Sequence, residues 1–157
     1  MKEMCAERMI KVAELSNGIP VTIHVVTQNI QDNQVVDYDE VFEGQFFQMG
    51  ASIYLRYQET AEQEALVTFK ITANGEVQLT RKTDEMNLRL YFVAGKQVNA
   101  KYVTPYGVVP VTSRTSKLQA EVDDTLRGII GQINIDYTLN SGQQLLGRYK
   151  IRLQFKG

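Results

Sequence analysis

From Ile19 to the end of the chain, apolar residues recur at every second position, the period of a half-buried β-strand. Val21, Ile23 and Val25 alternate with Thr22 and His24 in a first strand over about 19–30. A polar loop, Gln31 to Asp37, precedes a second strand over about 39–48, which holds Val41, Phe42, Phe46 and Phe47, with Gly44 suited to a bulge or bend. The third strand covers about 52–59, the fourth 65–72 and the fifth 76–82. Between the last two, Ala73-Asn74-Gly75-Glu76 is the strongest turn signal in the chain, because Asn and Gly both accept positive φ. Leu88, Leu90 and Phe92 mark a sixth strand, and Val98, Ala100, Tyr102 and Thr104 share one face of a seventh. Val108 to Arg114, then Leu118 to Val122, then Ile133 to Leu139, then 144–155 complete about eleven candidate strands.

Strands joined by short turns make a sandwich or close into a barrel, and closure removes the edges. In a closed meander the first and last strands pair antiparallel only if the count is even, so one of the eleven is false or lies outside. The pattern predicts an all-β, up-and-down antiparallel barrel of about eight to ten strands over residues 19–157. Residues 1–18 form a separate lead-in. A loose apolar stripe ending at Ser16-Asn17-Gly18 suits a short helix, and Met9 onward also suits a strand.

Composition narrows the class. A chain of 157 residues at net charge −1 is one ordinary domain and lacks the basic footprint of nonspecific nucleic-acid binding. No apolar run reaches transmembrane length, so no membrane partner is expected. One cysteine, Cys5, allows no intrachain disulfide and fits a cytoplasmic protein. With one histidine and one cysteine, no metal site is expected, and no Gly-rich phosphate cradle precedes a helix, so no cofactor is implied. His24 falls on the outward parity, away from any pocket a catalytic triad would need.

The segments YLRYQE at 54–59, TFKI at 68–71, Arg81, YVTPYG at 102–107 and GQINIDYTL at 131–139 stand in the order found in the bacterial DUF1934 family, typified by YwiB-like proteins. The resemblance runs from about residue 19 to the end and is carried by the ordered set, not by one motif. Lys82-Thr83 departs from it where a glycine is expected soon after the arginine. The resemblance implies a calycin, lipocalin-like barrel and no activity.

Two charges break the inward parity. Glu59 continues the row of Ile53, Leu55 and Tyr57, and Arg81 that of Val77 and Leu79. Alternating strand directions put Glu59, Arg81, Tyr102 and Thr104 at one barrel mouth, with Tyr57 one inward step below Glu59. A charge on an inner wall is costly unless paired or wet. Glu59 and Arg81 stand one strand apart across a third, roughly 10 Å of backbone, within reach of a carboxylate–guanidinium fork. Three uses follow. The pair plugs the mouth, with Tyr102 completing its hydrogen bonds. Or Arg81 anchors an anionic, partly apolar ligand, oriented by Glu59 and rimmed by Tyr57, Tyr102 and Thr104, with its tail along Phe69, Leu79, Leu90 and Phe92. Or the set acts on a carboxylate substrate, which rests on fold analogy. The best expectation is a noncatalytic small-molecule binder, and the alternative is an interaction module with a filled barrel. A homodimer would require outward Val26, Leu66 and Val109 to gather in one patch.

Overall fold

The computed structural model describes residues 18–59 and 64–157. The lead-in expected over 1–18 therefore lies almost wholly outside the described residues. Ten strands form a closed antiparallel barrel: β1 (Ile19–Gln31), β2 (Gln34–Met49), β3 (Ser52–Gln58), β4 (Leu66–Ile71), β5 (Val77–Lys82), β6 (Asn87–Phe92), β7 (Gln97–Thr104), β8 (Gly107–Thr125), β9 (Gly128–Ser141) and β10 (Gln144–Lys156). Each strand pairs with its chain neighbours, and β1 closes on β10 with Ile23 opposite Phe155.

Two differences from the sequence expectation have physical causes. The expected loop Gln31–Asp37 is a two-residue turn. Asp32 and Asn33 take φ of 49° and 64°, the left-handed pair of a type I′ hairpin, so β2 starts at Gln34. Polarity in 34–40 marks an exposed strand, not a loop. The two strands expected at 108–114 and 118–122 are one, β8, interrupted by a bulge between Thr115 and Lys117. The extra residue, Ser116, flips the inward parity from Val111, Ser113 and Thr115 to Leu118, Ala120 and Val122. The count thus falls from eleven to ten, the even number that closure needs.

We call "upper" the end carrying the 32–33 turn and the ends of β3, β5 and β7. The lower half is filled. Ile23, Val77, Ile133 and Leu153 are fully buried, and Phe46 stacks on Phe155 at 5.8 Å. A Cβ on Gly131 would overlap the Phe155 ring, so the absent side chain is what lets that ring fill the axis. Gly157 and Ile129 exchange two backbone hydrogen bonds, which tie down the chain end. On the outer wall, Phe47 is covered by Tyr54 stacked at 5.3 Å and by the Arg56 guanidinium.

Candidate functional site

The upper half holds a cavity of about 760 Å³. Its walls come from β1, β2, β3, β4, β5, β9 and β10, and all its residues but Gln28 and Lys150 extend the same inward rows that fill the lower half. Val25, Phe42, Val67, Phe69, Leu79 and Ile151 give it an apolar lining. Two aromatic pairs flank β1: Phe42 stacks on Tyr57 at 4.5 Å, and Tyr137 on Tyr149 at 5.0 Å.

Glu59 and Arg81 meet on this wall. Register sets Tyr57 opposite Val67 and Val67 opposite Arg81, so the pair spans β4 just above Val67. Nε of Arg81 donates to Glu59 Oε1 at 3.0 Å, and Nη2 donates to the same oxygen at 2.7 Å. Nη1 and Glu59 Oε2 have no partner among the described residues. The side chains are 37% and 26% exposed, which makes the pair half-wet and not an enclosed plug.

Tyr57 belongs to the same site, and Tyr137 joins it. Their residues are 6% and 7% exposed, yet neither hydroxyl has a hydrogen-bond partner among the described residues. Burial pushes the Tyr57 hydroxyl well above the ordinary phenol value; Glu59 adds to this, Arg81 opposes it, and Glu40 raises it further. Burial raises Tyr137 likewise, with Tyr149 adding to it. Both phenols therefore stay neutral and keep a proton to donate. Asn29 Oδ1 is also enclosed on this wall without a partner, whereas Tyr149 receives a bond from Gln31.

Tyr102 and Thr104 share the upper rim but not the site. Tyr102 donates to the Met86 sulfur at 3.3 Å, and Thr104 bonds Gly107 O and Tyr106 N across its own turn. Of the four residues expected along the tail, Phe69 and Leu79 line the cavity, while Leu90 and Phe92 are sealed in the core away from it. His24 faces outward and meets Asp39 across strands. Val26, Leu66 and Val109 sit on β1, β4 and β8, each separated from the others by at least two strands, so they form no single patch.

Sequence reasoning missed Glu40, Tyr38, Tyr137 and Tyr149 as site residues. Glu40 and Tyr38 lie on the row of Phe42 and Phe46; Glu40 falls inside the strand expected over 39–48 and was open to the parity test that found Glu59, while Tyr38 would have been found had β2 been started at Gln34. Nothing in the local pattern of Tyr137 and Tyr149 separates a core ring from a cavity wall.

A family model described as a domain of unknown function, DUF1934, matches residues 23–153. The uncharacterized β-barrel protein YwiB of Bacillus subtilis is 23% identical over 140 residues, which cover 88% of this chain and 94% of that protein. The crystal structure of the YwiB protein superposes with a TM-score of 0.74 at 22% identity, over 88% of this chain and 91% of that one. That likeness shows the fold. Among the described residues no helix is long and apolar enough to cross a membrane.

Proposed function

The chain belongs to the DUF1934 family, and because that family is described only as a domain of unknown function, we propose a function from the site itself: a noncatalytic, cytoplasmic binder of a small, partly apolar molecule with one anionic head group. One observation carries the reading. The hydroxyls of two largely buried tyrosines and an enclosed amide oxygen, none with a partner among the described residues, face a cavity that also bears a half-exposed guanidinium. The enclosed amide oxygen left unpaired costs about 1–3 kcal/mol, which a bound donor would recover, and the phenols can donate to a bound acceptor. The cavity volume lies inside the usual range for small-molecule sites, about 300–1,000 Å³.

Arg81 is the anchor in this reading, because among the described residues its Nη1 has no partner after Glu59 has taken Nε and Nη2. Glu59 holds the guanidinium in place. Tyr57 and Tyr137 donate to the head group, and Phe69, Leu79 and Ile151 take the apolar body. Glu40 and Glu59 are matched by Arg81 and Lys150, so the wall carries no net charge of its own and the head group's charge is met locally by the guanidinium.

Native mass spectrometry of protein purified from its own host tests the reading directly: a copurified mass is expected, and Arg81→Ala should lose it. Anilinonaphthalene sulfonate, a partly apolar monoanion, is a suitable probe in solution. Its affinity should fall about tenfold or more in Arg81→Ala, about 1.4 kcal/mol, while uncharged phenylnaphthylamine changes little. Equal loss for both probes, or none for the sulfonate, removes Arg81 as the anchor.

A further inference from the structure

Among the described residues the upper part of β2 pairs with only one strand. All of β2 from Gln34 to Phe46 pairs with β1, but β3 meets it only from Gln45 to Met49. The two-residue turn at 32–33 makes Gln31 and Gln34 a hydrogen-bonded pair, and antiparallel pairing then alternates along the strand. Even-numbered residues of upper β2 bond to β1. Val35, Asp37, Asp39 and Val41 turn their N–H and C=O groups the other way, toward an edge on which no strand lies among the described residues.

Soluble proteins usually shorten, twist away, cover or charge such an edge with lysine. This one is long and carries none of those lysines. Val35, Val36, Tyr38 and Val41 are 54%, 43%, 54% and 62% exposed, and Gln34–Met49 contains four acidic residues and no lysine or arginine. The acids sort by face. Asp37 and Asp39 lie on the outer face, where they meet Gln28 and His24 of β1, while Val36, Tyr38 and Glu40 lie on the face that lines or borders the cavity mouth.

We propose that this edge takes up an extended, basic segment of another protein as an added strand. The added strand bonds to the backbone of Val35, Asp37, Asp39 and Val41. It sets lysine or arginine on the outer face against Asp37 and Asp39 and apolar residues on the inner face against Val36 and Tyr38. Strand addition takes its affinity from main-chain bonds and its specificity from alternate side chains. A second copy of this chain fits poorly, because pairing β2 with β2 brings acid to acid with no cation from either strand. The cavity and its ligand play no part in this surface, so the proposal stands apart from the binding reading above.

The test uses the full chain and an octapeptide alternating lysine with valine, against one alternating glutamate with valine. Binding is followed by fluorescence anisotropy, and amide exchange is followed at Val35, Asp37, Asp39 and Val41. The lysine peptide should bind and slow those four amides, and the glutamate peptide should do neither. Val41→Pro removes an N–H that no neighbouring strand uses, so it should weaken the lysine peptide about tenfold while leaving the fold intact. Val41→Lys should weaken it as well, with the backbone unchanged. The proposal is overturned if the lysine peptide leaves the four amides unaltered up to about 1 mM, if the glutamate peptide protects them equally, or if both Val41 variants bind like wild type. It is also overturned if sedimentation shows the protein alone as a dimer that Val41→Lys dissolves, which would assign the edge to a second copy.

Discussion

The two halves of the barrel are built from the same inward rows and end up doing opposite things. Along β10, Phe155 and Leu153 at the lower end are packed solid, while Ile151 and Tyr149 one and two steps higher line open space. Along β5, Val77 is fully buried, Leu79 borders the cavity, and Arg81 is half exposed. The lower half spends its apolar residues on contact with one another, helped by the ring space over Gly131. The upper half has rings and charges as well, but leaves a cavity of about 760 Å³ between them. Inward parity therefore identifies the wall and says nothing about whether the space it encloses is full. The half that stabilises and the half with spare polar groups are separable, and each can be perturbed without the other.

The largest effect should come from truncation in the packed half. Phe155→Ala removes a ring held by Phe46 and Gly131 and should cost about 3–5 kcal/mol in urea denaturation. Leu79→Ala, on a wall that already faces open space, should fall at or below the low end for such changes, about 2 kcal/mol. Equal costs would mean that the upper half is packed as tightly as the lower one, and the contrast would fail.

A smaller effect separates the halves by pH. Tyr57 and Tyr137 have phenol pKa values raised by burial in the folded state, whereas the unfolded chain ionises near the ordinary phenol value of 10.0. Below about pH 10 both states hold the proton and the full stability is present. Above it the unfolded state binds fewer protons than the folded one, so stability falls as pH rises toward the folded values. The slope is about 1.4 kcal/mol per pH unit for each phenol, and Tyr57→Phe should remove its share of it. An unchanged alkaline slope in that variant would place the Tyr57 hydroxyl in water.

Much of this was legible in the chain. The Asn74-Gly75 turn, the alternation of β3 to β5 and the inward parity of Glu59 and Arg81 are local patterns, and local patterns survive folding. What failed needed information that one strand does not carry. The bulge at Ser116 shifts the phase of β8, so alternation on either side reads as two strands. Asp32-Asn33 hid behind the polarity of an edge strand, and Tyr38 was hidden with it. Tyr102 and Thr104 have the direction and parity of rim residues, but position around the barrel decides what a rim residue meets, and theirs is Met86 and their own turn. Whether the axis is filled depends on the sum of side-chain volumes across seven strands, which alternation cannot weigh.

The smallest expected stability change is the one that bears most on function. If the Glu59–Arg81 pair sealed the mouth as a buried plug, removing the arginine would strand a carboxylate and cost about 3–5 kcal/mol. The observed pair is 37% and 26% exposed and concentrates both its hydrogen bonds on one oxygen, so water can solvate what remains. Arg81→Ala should then cost only about 0.2–1 kcal/mol in thermal or urea unfolding, the range of solvent-screened pairs. Glu59→Gln should cost no more, and it should leave the guanidinium in place with one restraint weakened. The two variants then part company on ligand affinity, since one removes the anchor and the other only loosens it. A cost for Arg81→Ala approaching that of Phe155→Ala would make the upper half a second core, with a charge at its centre in place of a ring.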